Sequence, residues 1–191
     1  MKRKHFLSSF IPLAATFGAV ASGKTSFDGD SPVVKPPYLK AGDTVGICCP
    51  AGFITIEDIQ PALLKLKEWG FTARIGETIS KKDFTFGGTD DERLNDLQQM
   101  LDDKSIKAIL FARGGYGGVR IIDRLNFKKF DRDPKWIIGF SDATVFHSHI
   151  NVKYRVATIH SKMCNSFPND WNTAEPVQKE TIESINKCLK G

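Results

Sequence analysis

The stretch Phe111-Ala112-Arg113-Gly114-Gly115-Tyr116-Gly117-Gly118-Val119-Arg120 decides the fold. An apolar run from Ala108 to Ala112 reads as a buried strand. It meets four glycines in the five positions 114–118, and then Val119, Ile121, Ile122 and Leu125 at helical spacing. Strand, glycine turn, helix is how α/β proteins present a group at the C-terminal edge of a sheet. Glycine permits the left-handed or closely approached backbone such a turn needs. Amides at the start of the next helix favour an anion or an oxyanion.

The neighbouring pattern repeats this alternation. Strands are expected at Thr44–Cys49, Phe71–Ile75, Trp136–Phe140 and Val156–Ile159. A helix carries Ile59, Ala62, Leu63, Leu66 and Trp69, with Asp58 as N-cap, Pro61 in the first turn and Gly70 as its stop. Thr89 is expected to cap a second helix, whose first turn holds Asp90, Asp91 and Glu92 and whose inner stripe is Leu94, Leu97, Met100 and Leu101. Residues 127–135 read as a charged connection and 175–189 as a final helix. The fold class is therefore α/β, a mainly parallel sheet flanked by helices. Ligands bind such sheets at the strand C-termini, where three loops fall: 50–53, 113–118 and 141–144.

The ends of the chain carry other signals. Lys2-Arg3-Lys4, the uncharged run from Phe6 to Val20 and Ala19-Val20-Ala21 form the pattern of a cleaved secretory signal over residues 1–21. An exported, periplasmic location follows, without stable membrane insertion after cleavage. Residues 22–40 are rich in Ser, Gly, Asp and Pro and read as a linker. The α/β domain is expected over 41–168. Without its three leading cations the formal charge falls from +5 to +2, and the remaining Lys and Arg alternate with Asp and Glu. That balance argues against a nucleic-acid partner. Cys48, Cys49, Cys164 and Cys188 match no zinc spacing, so no metal and no cofactor are expected, and the cysteines read as structural.

The glycine stretch fits neither phosphate-loop pattern; G-x-G-x-x-G begun at Gly115 requires a glycine where Arg120 stands. A phosphate- or nucleotide-binding domain is thus the weaker alternative. As a nucleophile elbow it lacks a hydroxyl or thiol between Arg113 and Arg120, apart from the Tyr116 phenol. His149 shares an apolar helical face and reads as a core histidine. Ser141 and Asp142 most simply cap the helix that starts at Ala143. Arg113 suits a substrate carboxylate, by bidentate pairing, or a loop brace.

Together, Ala112-Arg-Gly-Gly-Tyr-Gly117 and Ile138-Gly-Phe-Ser-Asp-Ala-Thr144 resemble the serine LD-carboxypeptidases of murein recycling, a group that includes microcin-immunity peptidases. Lys40-Ala-Gly-Asp43, Pro50-Ala-Gly52, Gly87-Gly-Thr-Asp-Asp-Glu-Arg93 and Thr158-Ile-His160 support the match in the same order. The resemblance implies a flavodoxin-like N-terminal domain and a Ser-His-Glu triad that releases terminal D-alanine from murein tetrapeptides. It implies a murein peptide as partner and, for the full-length family, a homodimer. The family's nucleophilic Ser falls at Gly118, which has no side chain to attack a carbonyl. Its Glu and His lie in a C-terminal domain, of which residues 169–191 are expected to be the start. The chain as given is expected to be inactive, or to serve as a non-catalytic murein-peptide binder. Val119 N–H is the implied oxyanion donor. Arg113, Gly114, Gly115, Tyr116, Ser141 and Asp142 are the implied substrate-binding residues.

Overall fold

Five parallel strands form one sheet in the order β2-β1-β3-β4-β5: β1 Thr44–Cys48, β2 Thr72–Ile75, β3 Ile106–Phe111, β4 Trp136–Gly139 and β5 Ile159–His160. The computed structural model describes residues 32–191, and the signal-segment reading lies outside them. The chain runs outward from β1 to β2, then returns to lay β3 on the other side of β1. That reversal opens a crevice at the C-terminal ends of β1 and β3, where such sheets bind ligands.

Both faces of the sheet are buried because its strands alternate one apolar set toward each side. Val45, Ile47, Cys49, Ala108, Leu110 and Ala112 face α1 (Ile56–Glu68) and α6 (Pro176–Lys190). Cys48, Ile109, Phe111 and Ile137 face α2 (Asp90–Asp102), the short α3 (Gly118–Ile121), α4 (Lys128–Arg132) and α5 (Thr144–Tyr154). Helix α6, in the stretch expected to begin a second domain, buries Ile182, Ile185 and Leu189 in the first core. Each such side chain contributes roughly 1.5–3 kcal/mol, as an upper estimate. Within the expected linker, Val34 pairs with Val156 and Leu39 is buried.

Several local expectations need correction. Helix α1 starts three residues earlier than an Asp58 cap requires: Thr55 is its N-cap, and Asp58 is the third helical residue of a reciprocal capping box. Pro61 therefore lies beyond the first turn and removes the bond that an amide there would give to the Glu57 carbonyl. The expected box at Thr89 and Glu92 is present. The charged connection contains α4, whose Phe130 is fully buried. The helix after the glycine turn is one α-turn followed by a 3-10 turn at Ile122–Arg124, and Val119 is exposed rather than inward.

Candidate functional site

Three loops converge on the C-terminal rim of β1, β3 and β4. Gly115 and Gly117 have φ of +110° and +146°, a region that L side chains rarely adopt, so the turn needs glycine there. The Gly52 amide donates to the Gly114 carbonyl at 2.9 Å and ties the β1 loop to the glycine turn. A Cβ at Gly52 would lie 2.7 Å from that carbonyl oxygen. At Gly52 and Gly114 the two loops meet backbone to backbone.

Arg93 holds the same loops from beneath. Its guanidinium is fully buried and donates to the carbonyls of Pro50 at 2.6 Å, Gly117 at 3.0 Å and Gly88 at 3.3 Å. It also pairs with Asp90, which receives Arg120 on both oxygens. The Phe86 ring lies 4.8 Å from the Arg93 guanidinium and 5.3 Å from that of Arg120, with Tyr116 beside it at 6.3 Å. Burial lowers the Arg93 pKa while the Asp90 carboxylate opposes that shift, and arginine stays charged at any working pH. The loop over residues 76–88 is anchored by Asp96. This carboxylate accepts from the amides of Glu77 and Thr78 and from the Thr78 hydroxyl, which in turn accepts from the Cys49 amide.

The β4–α5 turn supplies the third wall. Gly139 presses on Ala143, where a Cβ on the glycine would lie 2.8 Å from the alanine Cβ. Ser141 adopts φ +59° between them, a strained value of the kind that clusters at functional sites. Asp142 does not cap its own helix, contrary to the expectation for this Ser-Asp pair. A short 3-10 turn at Ser141–Ala143 intervenes, and the residue before α5, Ala143, already has helical φ of −58°. Instead, the Asp142 carboxylate accepts the Gly118 amide at 2.8 Å and caps α3 across 24 residues of sequence.

Gly118 is buried beneath this contact. A Cβ there would lie 2.7 Å from the Phe146 ring and 2.9 Å from the Asp142 carboxylate. Position 118 therefore lacks both a nucleophile and room for one as the side chains stand. Val119, with an exposed side chain, supplies the next amide of α3. Gly114 is buried against Ser141 and Met163, Gly115 lies against Gly52, and Tyr116 is exposed at the lip. Arg113 donates to the Phe53 carbonyl at 2.8 Å and also lines a cleft of about 280 Å³ with Ile54, Asp58, Asn165, Phe167 and Asn169. Bracing and ligand-facing roles coexist in that one side chain.

Among the described residues, the histidines and the buried cysteines form no substitute nucleophile system. His147, rather than His149, is the buried one; its Nε2 meets the Gly139 carbonyl at 2.9 Å, and burial lowers its pKa. His149 stacks near Phe127 and Tyr154. His160 ends β5 with its ring 5.8 Å from that of His147. Burial pushes the Cys49 thiol up to about 12 and raises Cys48 and Cys164 as well, so all three stay protonated at neutral pH. Among the described residues, no cluster of three or more His, Cys, Asp or Glu is placed to hold a metal ion. No helix among them is long and apolar enough to cross a membrane.

Arg93, Phe86 and the reach of Asp142 were not singled out from sequence. Arg93 did carry a signal, since it stands at i with Leu97, Met100 and Leu101 at i+4, i+7 and i+8, on the buried stripe of α2.

A parallel α/β sheet with a glycine turn at its switch-point rim is a ligand-binding architecture that many families share, and similarity to known proteins defines the family. The chain belongs to the LD-carboxypeptidase family: the model of that family's N-terminal domain matches residues 45–161. It is 36% identical over 132 residues to a probable murein peptide carboxypeptidase of Bacillus subtilis, spanning 69% of this chain and 41% of the relative. It is 26% identical over 151 residues to a murein tetrapeptide carboxypeptidase of Pseudomonas aeruginosa, spanning 77% and 49%. Among solved structures, an MccF-like protein of Bacillus anthracis superposes with a TM-score of 0.74 at 24% identity, covering 83% of this chain and 47% of that one. The microcin C7 self-immunity protein MccF, in complex with aspartyl sulfamoyl adenosine, superposes with a TM-score of 0.73 at 26% identity, covering 82% and 47%. The chain thus spans less than half the length of these relatives.

Proposed function

We propose that this domain binds murein peptides along the rim of β1, β3 and β4, and that position 118 contributes backbone but no nucleophile. The observation that carries the reading is the closed space at Gly118, set within the loop cluster at this rim. The glycine φ values, the Gly52–Gly114 tie and the Arg93 hub are those of a built loop cluster. The Phe146 ring and the Asp142 carboxylate crowd the space that a side chain at position 118 would enter, which supports a backbone role there. Murein peptides are the substrate class because two of the curated relatives carry that name.

In this reading Arg113 receives a peptide carboxylate, and Gly114, Gly115, Tyr116 and Ser141 line the path of the peptide. The Val119 amide faces the carbonyl that a complete enzyme would attack. Asp142 acts through Gly118, by fixing the first amide of α3. Export of the chain, with residues 1–21 as signal, belongs to the same reading, because murein lies outside the cytoplasm. The homodimer remains part of the proposal for the full-length family.

Calorimetry with a murein tetrapeptide tests this directly. Saturable heat without release of the terminal amino acid is expected. Absence of heat would remove the binding reading, and stoichiometric release by the chain alone would show that the nucleophile lies elsewhere.

A further inference from the structure

The Arg113 cleft holds more than a cation. Its lining places the Asp58 carboxylate and two carboxamides, Asn165 and Asn169, in the same hollow of about 280 Å³, with Ile54 and Phe167 as its apolar residues. Their bonding capacity is largely unspent. Among the described residues, Arg113 uses one terminal nitrogen on the Phe53 carbonyl and pairs with no carboxylate. Asp58 commits Oδ2 to the Thr55 amide and hydroxyl, and its Oδ1 has no partner among the described residues. Among the described residues, the Asn165 side chain accepts only a long bond, at 3.5 Å, from the Ser166 hydroxyl, and the Asn169 side chain makes none.

A lone guanidinium fits a carboxylate. A guanidinium, a carboxylate and two carboxamides around one small hollow fit a group carrying both charges. We infer that this cleft is a subsite for a zwitterionic α-amino-acid head group, its carboxylate on Arg113 and its ammonium on Asp58. The inference rests on the carboxypeptidase-type reading above and deepens it. A peptide C-terminus offers only a carboxylate, since its nitrogen is a neutral amide. Hydrolysis adds water across that amide, and the freed amine takes a proton at neutral pH. The released amino acid then carries the second charge that Asp58 matches, so the cleft recognises the product better than the same residue still in the chain. Both charged groups are exposed, which places the affinity in the millimolar range.

Calorimetry on the 191-residue chain decides it, with D- and L-alanine, N-acetyl-alanine and alanine methyl ester as probes. At least one alanine enantiomer is expected to bind saturably, and blocking either end of it should weaken binding at least tenfold. Arg113→Met should weaken alanine at least tenfold. Asp58→Asn, whose amide oxygen still serves the α1 cap, should weaken alanine at least tenfold yet leave N-acetyl-alanine unchanged. Equal affinity for alanine and N-acetyl-alanine overturns the zwitterion site, and so does an unchanged affinity in Arg113→Met. If a murein tetrapeptide binds while alanine does not, the subsite fails and the murein reading stands. If alanine binds while the tetrapeptide does not, the murein reading fails and the subsite stands. Silence from both removes both.

Discussion

At the scale of single residues, Gly118 and Arg93 set opposite demands on the same elbow. Gly118→Ala adds a methyl against the Phe146 ring and the Asp142 carboxylate. Overpacking of this kind typically destabilises by about 1–3 kcal/mol, and thermal melts should show it as a lowered Tm. Adding Phe146→Leu should recover part of that loss, because the two positions touch and their effects are not additive. A serine nucleophile at 118 therefore needs a smaller neighbour as well as the hydroxyl. An unchanged Tm in Gly118→Ala would show that the ring and the carboxylate yield freely. Arg93→Met leaves three loop carbonyls and Asp90 without their donor. Removing one partner of a buried charge pair costs about 3–5 kcal/mol, so chemical denaturation should place this variant among the least stable point changes in the domain. Part of this was legible in the sequence. The glycine positions announced the turn, but the inner stripe of α2 was read from Leu94, and the place of Arg93 on the buried face went unread because a charged side chain ordinarily marks the solvent side. Nor was the Asp142–Gly118 bond legible. Ser-Asp before a helix is the ordinary cap signature, and nothing local reveals that a left-handed Ser141 turns the carboxylate toward a different helix.

At the scale of elements, the helices begin where their capping chemistry dictates. Thr89→Ala removes the side chain that accepts the Glu92 amide and should lower stability by about 1 kcal/mol, read from the denaturation midpoint at an unchanged m-value. Helix α1 shows how sequence reading slips by one turn. Thr55 and Asp58 are both good caps, and choosing between them requires the reciprocal bond that only the folded backbone displays. Strand existence and order of appearance were readable from apolar runs. Strand limits were less so, because Val156 looks like a β5 residue yet pairs with Val34 across the unit. Helix α4 was hidden by charge: a single buried Phe130 carries its apolar side, which leaves no periodic stripe to detect.

For the molecule as a whole, pH acts through the buried His147. Its folded pKa is lowered from 6.5 by burial, so the unfolded chain binds the proton more readily. The stabilising contribution is fully present above pH 6.5 and is lost as pH falls through that value toward the lower folded pKa. The Tm of the wild type should therefore fall more steeply as pH drops below 6.5 than that of His147→Gln. Matching slopes would mean that other groups dominate the acid limb. Lastly, the Leu39 amide donates to the Leu189 carbonyl at 2.7 Å, and Tyr38 packs on Gly191. The first and last segments of the unit meet beneath the start of β1, at the rim opposite the elbow. Covalent traffic in and out of the unit therefore shares one doorway at the back of the sheet. A reporter attached through a flexible linker at Gly191 therefore starts from that rim, away from the glycine turn.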